Sequence, residues 1–376
     1  VITMAVGIIC EYNPFHNGHL HHLNEVKKQF NEPIVLVMSG NFTQRGDISL
    51  INKWDKTSLA LTYGVDLVIE LPFCFATQSA DTFSKYSIRI LKHLNVDKIV
   101  FGSESNDIKS LIKCANTQLS KEYDDLVNKY IKDGISFPIS SSLALKDICD
   151  IKIESPNDIL GVSYIRESIL QKTNITPFCI KRTNDFHSLV EDNDIASATS
   201  IRNKLINKED ISNLVPFEVI NCINNLFIDD YFLYLKYQII NNDLLKFHNI
   251  DKTLSYRIKK YISKCCTLEE LILAVKTKQY TYNRVKRSLL MILVNYTKEE
   301  AKLYNSYDYI RVLGFNETGK NYLNSIKKDL TVELIVKYTK QNDKYLSLER
   351  RVSDIYNLLK KDKNFTPLET TKVIVK

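Results

Sequence analysis

GIICEYNPFHNGHLHHL, residues 7–23, is the stretch on which the reading of this chain turns. The apolar run Met4–Cys10 predicts a short buried strand. The turn Glu11-Tyr12-Asn13-Pro14-Phe15 ends it, and from His16 onward Leu20, Leu23 and Val26 recur with helical period. A strand that passes straight into a helix sets a helix N-terminus at the edge of a sheet. Free backbone N–H groups and the positive dipole end make such a place an anion site. His16 and His19 fall on one side of the first turn and can both donate to one phosphate. Gly18 lets that phosphate approach the backbone, and Pro14 fixes the turn that presents the histidines. The same spacing, with His21 and His22 nearby, also suits zinc, although no Cys or carboxylate spacing completes a ligand set.

Outward from this point, strands and helices alternate. Apolar strands are expected at Ile34–Met38, Val65–Leu71 and Lys98–Phe101, with helices through Trp54–Leu61 and Ser79–Leu94 between them. Ser155-Pro156 opens a further helix, Ile175–Lys181 reads as a last strand, and Ala198–Asn207 as the helix that leaves the sheet. This alternation predicts an α/β doubly wound parallel sheet, with ligands beyond the carboxyl ends of the strands. After Asn207 the pattern is helix after helix, with no strand expected before Thr371–Val375. The expected division is therefore residues 4–206 as an α/β domain that carries the anion site and 207–376 as a mainly α-helical region.

The charge follows the same division. Of the 51 Lys+Arg and 44 Asp+Glu, residues 201–376 hold 31 and 20, so a net +11 stands against −4 in the first 200. Fifteen of the 21 tyrosines also lie beyond residue 200. A neutral-to-acidic half joined to a basic, tyrosine-rich half is what a catalytic domain joined to a polyanion-binding domain looks like, because tyrosine faces stack on unpaired bases. In that second half Arg284, Lys286 and Arg287 cluster after Tyr280 and Tyr282 and are candidates for tracking RNA phosphates. The eight cysteines form no CxxC and read as reduced, mostly buried thiols. No apolar run reaches the roughly 20 residues that span a bilayer, since Asp66 and Glu70 interrupt the best one. Val1–Thr3 are set aside. The residues after Met4 include no basic n-region and no cleavage site, so the cytoplasm is the expected compartment and no membrane partner is expected.

A second phosphate cradle is written in Ser197-Ala198-Thr199-Ser200-Ile201-Arg202, hydroxyls at a helix start with an arginine one turn on. Together with His16-Asn17-Gly18-His19 it resembles the HxGH nucleotidyltransferase superfamily, whose second signature reads Ile-Ser-Ser-Thr-x-x-Arg. Ala196 and Ala198 depart from that signature; Ser197, Thr199 and Arg202 match it. Further segments appear in order: SGNFTQRGD (39–47), GVDLVIELP (64–72), FGSES (101–105), SPNDILGVSYI (155–165), KRT (181–183), YNRVKR (282–287) and YIRVLGFNETGK (309–320). With these the chain resembles the bacterial tRNA(Met) cytidine acetate ligase family over nearly its whole length.

That resemblance implies an ATP-dependent ligase, with ATP as co-substrate and magnesium as its usual companion. Acetate and ATP would give acetyl-adenylate, and the acetyl group would pass to N4 of the wobble cytidine of elongator tRNA(Met). Carried over, the catalytic pair is His16 and His19. The ATP contacts are Cys10, Glu11, Tyr12, Asn13, Pro14, Phe15, His16, Asn17, Gly18, His19, Leu20, His21, His22 and Leu23, then Gly102, Asn157, Arg182, Thr199 and Arg202. Asn41, Gln44 and Arg45 form a possible substrate loop, and Arg284, Lys286 and Arg287 the tRNA contacts. Two other readings fit the same fold: an adenylyltransferase that makes a dinucleotide-type cofactor, and a non-catalytic RNA- or zinc-binding protein.

Overall fold

The computed structural model describes residues 4–182, 195–224, 231–360 and 367–376. Thr183, at the end of the KRT segment, lies outside them. The chain begins β1 (Val6–Cys10), α1 (Asn17–Gln29), β2 (Ile34–Ser39), α2 (Lys53–Thr62), β3 (Leu67–Leu71), α3 (Phe73–Ala76), α4 (Ala80–His93) and β4 (Lys98–Ser103). It continues with α5 (Ile108–Thr117), α6 (Lys121–Lys132), α7 (Phe137–Cys149), α8 (Pro156–Leu170), β5 (Thr176–Lys181) and α9 (Ala198–Ile206). The second half runs α10 (Phe217–Ile220), α11 (Phe232–Asn241), α12 (Lys252–Tyr261), α13 (Leu268–Val275), α14 (Tyr282–Leu293), α15 (Lys298–Asn305), β6 (Tyr309–Phe315), α16 (Glu317–Ile326), β7 (Glu333–Ile335), α17 (Asp343–Leu359) and β8 (Ile374–Val375).

One sheet of order β5-β4-β1-β2-β3-β6-β7 crosses the molecule, with β8 paired to β6. β2 and β3 are buried along their whole length, as strands covered by helices on both faces must be. Strands β1 to β5 pair in parallel. Strand order reverses at β1, between β2 and β4, so the crevice beyond the carboxyl ends opens where Glu11 leaves β1. This is the doubly wound architecture expected. Among the described residues no helix is long and apolar enough to cross a membrane.

The expectation of helices alone between residues 207 and 371 is overturned: β6 and β7 lie there, and β6 pairs antiparallel with β3. The cause is Arg311. A charged residue in the middle of YIRVLGF masks the strand pattern, yet this arginine is 1% exposed. It is accommodated by a buried ionic cluster. Lys53 Nζ sits 2.8 Å from Glu70 Oε1 and 2.5 Å from Glu369 Oε2, and the Arg311 guanidinium lies 3.7 Å from Glu369 Oε1 and over the Trp54 ring. Glu349, which accepts from the Phe73 N–H at 2.6 Å, is pushed well above the carboxylate range by burial and by the Glu70 charge. A protonated Glu349 leaves two cations facing two carboxylates. The cluster joins α2 and β3 to β6, α17 and the turn at Glu369, so the last third of the chain is fastened onto the first.

Because both carboxylates lose a partner at once, Lys53→Met is expected to destabilise the fold by about 3–5 kcal/mol, in the range for stranding buried charges. Adding Glu369→Gln to that variant is expected to restore part of the loss. Urea unfolding midpoints of the parent and the two variants measure both.

Candidate active site

α1 starts in an unusual way, with a histidine as its N-cap. The Gly18 N–H donates to His16 Nδ1 at 3.1 Å, and the His16 N–H donates to His19 Nδ1 at 3.3 Å. The two rings stack with centroids 3.7 Å apart. A Cβ on residue 18 would lie 2.9 Å from His16 Cε1, so only glycine lets the ring fold back over the turn. Both Nδ1 atoms are acceptors, which leaves the proton of each neutral ring on Nε2. Burial, helped by the Arg182 and Arg202 charges, lowers His16 to about 3. Burial, then His16 and Arg182, holds His19 well below its ordinary value. At neutral pH the pair is two uncharged Nε2–H donors.

One expectation changes here. The first-turn amides are not free: Asn17 N–H donates to Leu214 O, Gly18 N–H to His16 and His19 N–H to His16 O. What this helix start offers an anion is its imidazole side chains rather than its backbone. Both histidines are largely withdrawn from solvent, His16 being 3% exposed and His19 only partly exposed.

The cleft they face holds about 460 Å³. From the expected segment, Cys10, Glu11, Tyr12, Asn13, His16, Gly18, His19, His21 and His22 line it. Pro14, Phe15, Asn17, Leu20 and Leu23 do not. Phe15 and Leu23 are fully buried behind the turn, Phe15 stacking on Tyr63, and the Asn17 side chain donates to Asn213 O. They shape the wall from behind. Gly102, Asn157, Arg182, Thr199 and Arg202 all reach the cleft. Asn157 Nδ2 donates to Glu104 at 2.6 Å, so the amide's donor side is occupied and its carbonyl oxygen is the group left to accept. Gly102 makes room chiefly for Arg182, whose Cγ would lie 3.2 Å from an added Cβ.

Across the cleft, α9 presents the backbone donors that α1 lacks. Ser197 Oγ accepts only the Ser200 N–H, and the Ala198 and Thr199 amides meet no acceptor among the described residues. Arg202 is aimed beside them, donating to Asn13 O at 2.8 Å and to Thr199 Oγ1 at 3.1 Å. Cys10 offers no nucleophile, because burial pushes its thiol up to about 12.

The loop after β2 divides. Gln44 and Arg45 line the cleft; the Gln44 N–H donates to Glu11 and its side chain to Gln78 O. Asn41 does not reach it: its side chain is spent on the Lys53 N–H and Ser353 Oγ, inside the core. Two residues not singled out in the sequence hold this region. Lys56 Nζ donates to Glu11 O, Ser39 O and Gly40 O, tying the ends of β1 and β2 together. Asp47 forms an ion pair with Lys286. Nothing in the local sequence marks Lys56, whose acceptors are carbonyls brought together by the sheet.

That ion pair corrects the basic cluster. Lys286 is 6% exposed and committed to Asp47, so it joins α14 to the cleft loop rather than facing solvent. Arg284 lies over Tyr280 and 3.6 Å from Asp251. Arg287 has no carboxylate partner among the described residues, and it packs against Gly46, whose φ of +82° admits it closely.

A doubly wound sheet whose switch point carries paired Nε2–H donors, opposite a helix start with an arginine, defines a nucleotidyltransferase-type enzyme. The chain matches the HIGH Nucleotidyl Transferase family over residues 3–370. It is 40% identical to the tRNA(Met) cytidine acetate ligase of Caldicellulosiruptor saccharolyticus over 95% of this chain and 94% of that one. With the same-named protein of a Geobacillus species it shares 36% identity over 94% of each. A crystal structure of Thermotoga maritima TmcAL bound with alpha-thio ATP aligns with a TM-score of 0.88 at 28% identity, over 99% of both chains. The chain belongs to the tRNA(Met) cytidine acetate ligase family of HIGH nucleotidyl transferases.

His22 provides a pH signature. Burial, then Arg182, lowers it to about 4, and its Nε2 is buried without a partner among the described residues. Its unfolded value is about 6.5. Between these values the unfolded chain binds more protons, so stability is fully present above about pH 6.5 and is lost as pH falls toward 4. The melting temperature is expected to fall between pH 8 and pH 5, and to fall less in His22→Phe.

Proposed function

We propose that this enzyme activates acetate with ATP and transfers the acetyl group to N4 of the wobble cytidine of elongator tRNA(Met). The observation that carries the first half is the pair of neutral Nε2–H donors fixed opposite Arg202 and the open amides of α9. An acetate oxygen attacks the α-phosphorus in line, and pyrophosphate departs. His16 and His19 donate to the oxygens on which charge develops, without a proton having to move. Arg202, Arg182 and the Ala198 and Thr199 amides receive the leaving pyrophosphate. The Asn157 carbonyl oxygen accepts from the adenine amine. In the second step N4 of cytidine attacks the acetyl carbonyl, the bond from the acetyl carbon to the AMP oxygen breaks, and AMP leaves as one N4 proton is released to solvent.

Among the described residues no group of three His, Cys, Asp or Glu side chains is placed to hold a metal. Magnesium, where it accompanies the triphosphate, would supply neutralisation of its charge.

The reading is tested with ATP, oxygen-18-labelled acetate and unmodified tRNA, followed by mass spectrometry. Labelled oxygen in AMP together with one added acetyl group on the tRNA supports it. Product formed from acetyl-coenzyme A but not from acetate and ATP refutes it.

Loss of one such donor typically costs a factor of about 10²–10³. His19→Asn is expected to lose acetate-dependent ATP–pyrophosphate exchange by about that much. His19→Gln, which can place an amide N–H near the position of Nε2, is expected to keep more activity than His19→Asn. For tRNA, Arg284 and Arg287 are the phosphate contacts. Replacing both with alanine is expected to weaken binding and to reduce the slope of log K against log salt by about 1.5, at roughly 0.7–0.9 for each phosphate no longer neutralised. Gel shifts across a salt series measure it.

A further inference from the structure

Next to the nucleotide cleft lies a larger cavity of about 730 Å³, enclosed by α6, α7, α8 and the segment that leads into α14. Its wall is apolar and partly aromatic: Tyr123, Phe137, Pro138, Leu145, Ile153 and Val162. Phe137 is 55% exposed, so much of its aromatic face is open. The rim is cationic. Arg166 is neutralised by Asp81 at 2.5 Å, but Lys278 and Arg287 have no carboxylate partner among the described residues, and Arg284 is held only loosely by Asp251. The Ser142 Oγ, on the wall, is also buried without a hydrogen-bond partner among the described residues.

The cavity is continuous with the chemistry. Ala80 and Ile159 line both spaces, and on α14 Asn283 faces the nucleotide cleft while Arg284 and Arg287 face the cavity. We infer that this cavity receives a second, unreacted nucleotide of the RNA loop, its base against Phe137 and its phosphate on Arg287 and Lys278. The inference rests on the proposed RNA substrate and adds to it the site that seats the loop beside the acetylated cytidine. The volume falls within the range of sites for small organic ligands. Unpaired bases are commonly held by aromatic faces, with cations along the backbone. Charge selects this occupant over an apolar ligand or a second copy of the chain: Lys278 and Arg287 line the cavity without a carboxylate partner among the described residues, and Arg287 stands beside a second cation, Arg284, so a phosphate there meets unpaired positive charge.

The test uses the full-length enzyme and an anticodon stem-loop RNA carrying 2-aminopurine at a nucleotide flanking the wobble position, on either side in separate RNAs. The parent is expected to change the fluorescence of one of the two labels on binding. Phe137→Ala, at an exposed position, and Leu145→Trp, which fills the cavity, are each expected to remove most of that change and to weaken binding about tenfold, as loss of one stacked base does. Neither residue lines the nucleotide cleft, so acetate-dependent pyrophosphate exchange should persist in both and reports a folded protein. If Leu145→Trp lacks exchange, Phe137→Ala decides alone. Parent-like affinity and fluorescence in the folded variants, or no change of either label with the parent, overturns the site. Absence of acetylation by the parent instead refutes the proposed reaction, while the fluorescence still decides the cavity.

Discussion

Two backbone N–H groups, those of His16 and Gly18, set the chemistry of this molecule by donating to the Nδ1 atoms of His19 and His16. A neutral imidazole has one proton, and these contacts place it on Nε2 in both rings. With the Asn17 and His19 N–H groups bonded to Leu214 O and His16 O, no first-turn amide is left with which a helix start ordinarily binds an anion. What α1 offers an anion is therefore its side chains, and the open backbone donors are those of α9 across the cleft. Burial beside Arg182 and Arg202 keeps the rings uncharged. A neutral donor suits a site that must bind a triphosphate and then release its products, since it adds directional hydrogen bonds without adding further charge.

The remainder of the fold keeps that turn in place and connects it to the basic half. Asn13, one turn before the histidines, accepts from the Leu50 N–H and receives Arg202 on its carbonyl. Lys56 ties the ends of β1 and β2, and Gln44 ties the following loop to Glu11. The loop then reaches α14 through Asp47 and Lys286, and behind it the Lys53, Glu70, Glu369 and Arg311 cluster fixes β6 to β3. Nucleotide cleft and basic helix are joined by ion pairs that are largely removed from water, so they act as one scaffold.

The features legible in the sequence obey local rules. Short apolar runs marked β1 and β2, and β3 in spite of Glu70, because strands buried on both faces need no alternation; β4 and β5 were marked by their place between helical segments. Gly18 beside His16 and His19, and Ser197 with Thr199 and Arg202, marked both sides of the cleft because helix starts have short-range signatures. The features that escaped depend on partners far along the chain. Arg311 reads as polar until Glu369 and Trp54 are brought to it, which hid β6. Lys286 sits among basic residues and reads as a solvated charge, yet its partner Asp47 is 239 residues away. Asn41 reads as a ligand-binding amide in a polar loop, but its contacts with Lys53 and Ser353 place it in the core. Lys56 could not be recognised at all, because three carbonyls from two strands converge on it only after the sheet forms.

The most direct measurement of the central claim is nitrogen-15 NMR of histidine-labelled enzyme with ATP bound, with His16 and His19 assigned through single-site variants. Both rings are predicted to be neutral and protonated at Nε2 at pH 7, and to remain so at pH 5.5, about one pH unit below the ordinary value for histidine. An imidazolium pattern, or a proton on Nδ1 of either ring, would contradict the account.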